Sequence, residues 1–220
     1  MSWESTETYY RLINEGVKQR LGGLHSAKIC LYSVDFEEIE QLQHADDWPA
    51  TAGILSDAAT RIEAGGADFL LICTNTMHKV VPDIEAAIKI PILHIADAAA
   101  AAIKARGFDT VGLLGTNFTM EQDFYKGRLR QKHGINVIVP GSDDRQFIHD
   151  VIYKELCLGK IEAASREGSV RIIEKLAAQG AQTVMLACTE IPLLVQQAHT
   201  NVPLLDTTAI HAAQAVEQAL

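Results

Sequence analysis

The chain has 220 residues, 48% of them hydrophobic and 21% charged, with a formal net charge of −9. That is enough apolar material for one domain or two small lobes, and it is too acidic for a surface that tracks a phosphate backbone. No run of roughly 18 apolar residues is present, so neither nucleic acid nor a membrane is an expected partner.

Short apolar runs alternate with amphipathic stretches, the pattern of an α/β protein with a largely parallel sheet. Expected strands are Lys28–Val34, Asp68–Cys73, Ile92–Ile95, Thr110–Leu114, Ile135–Val139, Thr183–Ala187 and Val202–Leu205. Between the first two, Ile54, Leu55, Ala58, Ala59 and Ile62 share one face of a helix over about Ala52–Ala64, which Gly65 and Gly66 terminate. Phe147, Ile148, Val151, Ile152 and Leu156 repeat that arrangement.

The chain also repeats itself. Residues 66–74, Gly-Ala-Asp-Phe-Leu-Leu-Ile-Cys-Thr, resemble residues 180–189, Gly-Ala-Gln-Thr-Val-Met-Leu-Ala-Cys-Thr, with one extra residue in the second copy. Each copy is a helix end, a strand and a Cys-Thr pair, followed by a helical segment and a proline-led strand. Upstream, Met1-Ser2-Trp3-Glu4-Ser5-Thr6 matches Gly115-Thr116-Asn117-Phe118-Thr119-Met120-Glu121. The strand Thr110–Gly115 precedes the second of these, and no counterpart precedes Met1. The first strand of a doubly wound half is usually interior, and its absence exposes backbone groups on both neighbours. The expectation is therefore two pseudo-symmetric, doubly wound lobes with mostly parallel four-stranded sheets, the first strand of lobe 1 being absent. Lobe 1 is expected to span 1–97 with 203–220, lobe 2 to span 98–202, and the natural protein to start about ten residues upstream.

Cys73 and Cys188 fall at matched strand ends, where open α/β sheets bind ligands, and a pseudo-twofold would bring them face to face between the lobes. A helix starting after each Cys-Thr would favour a carboxylate and lower the thiol pKa. A single cysteine at a strand end is ordinarily packing; two in register suit removal of a proton from one face of a carbon acid and its return to the other. Cys30 and Cys157 have no matched partner and read as packing residues. The cysteines are too sparse for a disulfide scaffold and no secretory signal is evident, which makes the cytoplasm the expected location.

The motifs Cys73-Thr74-Asn75-Thr76-Met77-His78, Cys188-Thr189-Glu190-Ile191, Gly115–Glu121 and Met1–Thr6 resemble those of the aspartate/glutamate racemase family over nearly the whole chain. The resemblance implies a pyridoxal-independent amino-acid racemase, commonly a homodimer, with its site between the lobes, no cofactor, and Cys73 and Cys188 as the catalytic pair. It further implies that Thr74, Asn75 and Thr76 hold the substrate from one lobe and Thr116, Thr119, Thr189 and Glu190 from the other. Thr119 with Gln122 also fits a helix capping box. Aspartate-specific members carry an arginine where this sequence has Tyr32-Ser33-Val34-Asp35, so the preferred amino acid is left open. Lys154 is the candidate cation, although a solvated helix lysine is the commoner outcome.

His78 and His94 lie near the first cysteine and read as structural histidines. No spacing closes a zinc site, no phosphate loop of Walker type is present, and Gly112-Leu113-Leu114-Gly115 lacks the full dinucleotide fingerprint. Neither a metal nor a nucleotide is expected. The rival readings are a hydantoin racemase or maleate-isomerase-like enzyme on the same fold, a non-catalytic amino-acid or carboxylate binding protein, and a thiol redox protein.

Overall fold

The computed structural model describes residues 1–220. Eleven α-helices and four strands follow one another as α1 (Trp3–Leu21), α2 (Phe36–His44), α3 (Trp48–Ala64), α4 (Val81–Ala87), α5 (Ile95–Ala105), β1 (Thr110–Gly115), α6 (Asn117–Glu121), α7 (Asp123–His133), β2 (Asn136–Ile138), α8 (Ser142–Lys154), α9 (Ala163–Ala178), β3 (Thr183–Ala187), α10 (Ile191–Leu194), β4 (Leu204–Asp206) and α11 (Thr207–Ala219). No helix is long and apolar enough to cross a membrane. The chain divides into two compact units, Met1–His94 with His211–Leu220, and Ile95–Ile210.

The second unit is an α/β layer structure on a four-stranded, all-parallel sheet of order β2-β1-β3-β4. Its central strands β1 and β3 read as continuous apolar runs because both of their faces are covered. Leu113, Leu114, Val184, Met185 and Leu186 pack with Ile103, Leu129, Ile148, Ile172 and Leu176 from the surrounding helices, each such burial being worth about 1.5–3 kcal/mol. The two glycines of Gly112-Leu113-Leu114-Gly115 serve close packing. A Cβ on Gly112 would lie 2.9 Å from Val184 Cγ2, and one on Gly115 would lie 2.8 Å from the Ala187 carbonyl oxygen.

A charged cluster ties α5 to α7. Asp97 accepts from Arg128 Nε and Nη2, each at 2.7 Å, from Lys132 Nζ at 2.7 Å and from His133 Nε2 at 2.8 Å. Partial burial works to raise the Asp97 pKa, but the hydrogen bonds from these three partners outweigh it and hold the carboxyl well below the usual carboxylate range. A depressed carboxylate pKa contributes stability above the unfolded-state value, and that stability is lost as pH falls toward the folded-state value. Asp97→Asn is expected to cost about 1–2 kcal/mol at pH 7, the scale of a half-exposed charge-assisted network. Urea denaturation at neutral pH and near pH ~3 checks this, because the gap between wild type and variant should narrow in acid.

The first unit has its own core of Ile39, Leu55, Ala59, Leu70, Ile72, Met77, Val80 and Ile84. The helix expected over Ala52–Ala64 is α3, which begins earlier, at Trp48, because Asp47 accepts from the Ala50 amide as N-cap and Pro49 sits in the first turn. Three of the expected strands do not form. Lys28–Val34 is irregular and mostly exposed, while Asp68–Cys73 and Ile92–Ile95 are reduced to a single parallel bridge between Leu70 and Ile92. In the second unit, β2 and β3 both pair with β1. In the first unit Leu70 and Ile92 meet at that one bridge and Lys28–Val34 pairs with no strand, so none of the three segments has the ladder that would make it a strand. The repeat survives all the same: Leu70 N–H donates to the Pro91 carbonyl as Val184 N–H donates to that of Pro203, both at 2.9 Å.

The expected lobe boundary at 203 also shifts. Strand β4 pairs with β3 and so stays with the second unit, and the chain returns to the first unit within α11, at His211.

Candidate active site

Cys188 follows the last residue of β3, and Thr116 follows the last residue of β1. Because Gly115 and Ala187 are register partners, Thr116 and Cys188 leave the sheet side by side at its carboxyl edge, the usual position for ligand chemistry in such sheets. Thr116 caps α6 by accepting from the Thr119 amide at 3.3 Å. The cap is thus Thr116 rather than Thr119, whose hydroxyl lies 3.3 Å from that of Thr116. Both hydroxyls are buried.

The Cys188 thiol donates to Glu190 Oε2 at 2.9 Å, and Thr189 Oγ1 donates to the same oxygen at 2.7 Å. All three residues are buried. Burial pushes the Cys188 thiol well above its ordinary pKa, and the Glu190 carboxylate adds to this through its charge. The helix expected to lower that pKa is α10, of only four residues, so its end charge is too small to offset desolvation.

The first unit presents a parallel arrangement. Ser2 caps α1 by accepting from the Ser5 amide at 3.2 Å, as Thr116 accepts from that of Thr119. Ser5 Oγ then donates to the Cys73 carbonyl at 2.6 Å. Thr74 N–H donates to the Ile72 carbonyl at 2.8 Å, which makes Cys73 the middle residue of a three-residue turn. Beyond it, Thr76–Val80 forms a 3₁₀ turn that leads into α4. Asn75 and Thr76 are buried and Thr74 partly so. Burial raises the Cys73 thiol to about 11, with the amino group of Met1 pulling weakly the other way.

Within each unit the residues singled out by sequence come together around the cysteine, with one exception. Lys154 lies near the C-terminal end of α8, its side chain 72% exposed and paired with Asp150 at 2.9 Å. Cys30 is exposed, and Cys157 packs against the core of the second unit. Sequence reasoning missed Ser5 as a partner of the first cysteine, although the repeat already aligned it with Thr119. It also missed His211, which has no motif around it.

The family model described as Asp/Glu/Hydantoin racemase matches residues 1–215. A crystal structure from Yersinia pestis, provisionally assigned as an Asp/Glu racemase, superposes with a TM-score of 0.92 at 58% identity, covering 100% of this chain and 95% of that one. An aspartate racemase homologue from Pyrococcus horikoshii OT3 gives 0.84 at 32% identity, covering 98% and 94%. The broad specificity amino-acid racemase RacX of Bacillus subtilis (strain 168) is 23% identical over 167 residues, which are 73% of this chain and 68% of that protein. A family match that spans nearly the whole chain, together with these relatives and the repeated Cys-Thr pair, establishes that the chain belongs to the Asp/Glu/Hydantoin racemase family and is an isomerase.

Proposed function

We propose that this isomerase is a cofactor-independent amino-acid racemase of the aspartate/glutamate type, in which Cys73 and Cys188 exchange protons with opposite faces of the substrate α-carbon. The observation that carries the reading is the recurrence, once in each unit, of a Cys-Thr pair after an apolar segment and before a short helical turn. Names of the relatives, aspartate racemase homologue and amino-acid racemase, support the substrate class.

In the proposed cycle one sulfur, as thiolate, takes the α-hydrogen as a proton, leaving a carbanion. The other sulfur, as thiol, gives its proton to the opposite face. Burial favours the protonated form of both thiols, so one must first lose a proton. In this proposal Glu190 accepts it, a role supported by the 2.9 Å hydrogen bond from the Cys188 thiol to Glu190 Oε2, and the ammonium group of a bound amino acid favours the resulting thiolate. Thr74, Asn75 and Thr76 in one unit, and Thr116, Thr119, Thr189 and Glu190 in the other, supply the polar groups that hold the carboxylate and stabilise developing charge. Lys154 would have to leave Asp150 to serve as a further carboxylate contact. A homodimeric, cytoplasmic enzyme completes the proposal.

The test is α-hydrogen exchange in D2O with L- and D-aspartate, L- and D-glutamate, neutral amino acids and hydantoins, followed by NMR. Exchange with amino acids is expected, and its rate should climb with pH above neutrality because both thiol pKa values are raised. Exchange confined to hydantoins would move the enzyme to the hydantoin branch of its family. Binding without exchange in every case would overturn the proposal.

A further inference from the structure

The first unit holds a buried cluster of three histidines, none of which the proposed proton transfer uses. His78 and His94 have ring centroids 4.5 Å apart, and His78 and His211 6.0 Å apart. All three are 5% exposed or less. His211 bridges two elements: its Nδ1 lies 2.8 Å from the Tyr9 hydroxyl on α1, and its Nε2 lies 2.7 Å from the Leu93 carbonyl, just before His94. A carbonyl only accepts, so Nε2 carries the hydrogen and Nδ1 accepts from Tyr9. The same reasoning fixes His78. Its Nδ1 lies 2.8 Å from the Thr74 carbonyl, so Nδ1–H is the donor. Burial lowers the pKa of His78 and of His211, which keeps both rings in these neutral forms.

The consequence falls on the turn that carries Cys73. Its carbonyls are held in succession: Ile72 by the Thr74 amide, Cys73 by Ser5 Oγ at 2.6 Å and by the Met1 amino group at 3.2 Å, Thr74 by His78 Nδ1 and Asn75 by the His78 amide. Two of these five donors are side chains, from α1 and from the histidine cluster. We infer that Ser5 and His78 are positioning residues that fix the Cys73–Thr74 turn, with His94 and His211 bracing the His78 ring. The inference rests on the proposed role of Cys73 only for its effect on racemisation. The placement of the turn is measurable without it.

The geometry separates two substitutions of His78. The amide nitrogen of asparagine occupies about the place of Nδ1, so His78→Asn can keep the donor to Thr74, whereas His78→Leu fills the space without one. The measurement is the rate at which iodoacetamide alkylates Cys73, followed by peptide mass spectrometry across pH, alongside kcat and KM for the best substrate and far-UV circular dichroism. His78→Leu is expected to alkylate at least about 5-fold faster as the turn that holds the partly buried thiol loosens, and to lose about 10-fold or more in kcat with little change in KM, since misplacing a reacting group by a fraction of an ångström is costly. His78→Asn should stay within about 2-fold of wild type in both, and Ser5→Ala should move both readouts in the same direction as His78→Leu. Identical behaviour of the asparagine and leucine variants, or no effect of Ser5→Ala, would overturn the inference. If alkylation follows this pattern and wild type shows no racemisation, the positioning role stands and the catalytic role of Cys73 falls.

Discussion

Racemisation is expected to fall by about 10²–10⁴-fold in both Cys73→Ala and Cys188→Ala, the usual worth of a positioned acid or base. Exchange without inversion is the more informative readout. In a two-base mechanism each sulfur faces one enantiomer. A variant that retains only one sulfur can still remove a proton from the enantiomer it faces and return deuterium to the same face. Cys73→Ala should therefore exchange one enantiomer slowly without racemising it, and Cys188→Ala should do so with the other. Loss of exchange for both enantiomers in one variant, with full activity in the other, would show that a single thiol carries the reaction. Equal activity of both variants would remove the cysteines from the mechanism. The second unit adds a check on Glu190, because Glu190→Gln leaves an amide beside Cys188 that cannot take its proton. It should impair the same enantiomer as Cys188→Ala.

The second large effect concerns acid stability. Burial, opposed by the hydrogen bond to Leu93, lowers His211 from 6.5 to about 4, and burial with the two neighbouring rings lowers His78 further below its ordinary value. A histidine with a lowered folded-state pKa binds fewer protons when folded than when unfolded, so stability rises with pH across the interval and is lost as pH falls below about 6.5. For His211 alone the loss is on the order of 2 kcal/mol between pH 7 and pH 5. Guanidinium denaturation at these two pH values is the measurement. His211→Gln keeps a donor toward the Leu93 carbonyl and has no group that titrates there. Its stability should change less than that of wild type over the same interval, by about that amount. An equal acid loss in the two proteins would show that His211 is not the source.

The residues around Cys188 were legible because an apolar run ending in Cys-Thr recurs at a fixed place in the repeat, and a parallel strand buried on both faces is recognisable from composition alone. Thr183–Ala187 forms as expected for that reason. The same signal misleads at Lys28–Val34, where Ile29, Leu31 and Val34 have strand-forming composition but a strand exists only through its partner. Lys154 shows a similar gap, since a helix sequence does not reveal whether a lysine reaches a ligand or pairs with Asp150 on the exposed face.

Sequence by itself determined the α/β class, the duplication, the two equivalent Cys-Thr pairs and the family, because hydrophobic period, glycine placement and repeat register are local properties of the chain. Only the tertiary structure decided the ionisation of the thiols, the union of Asp97 with Arg128, Lys132 and His133, and the assembly of His78, His94, His211, Tyr9 and Ser5 around the Cys73 turn. Desolvation and hydrogen bonding between residues as far apart as Tyr9 and His211 depend on what the folded chain brings within about 3 Å, and neither periodicity nor composition encodes that distance.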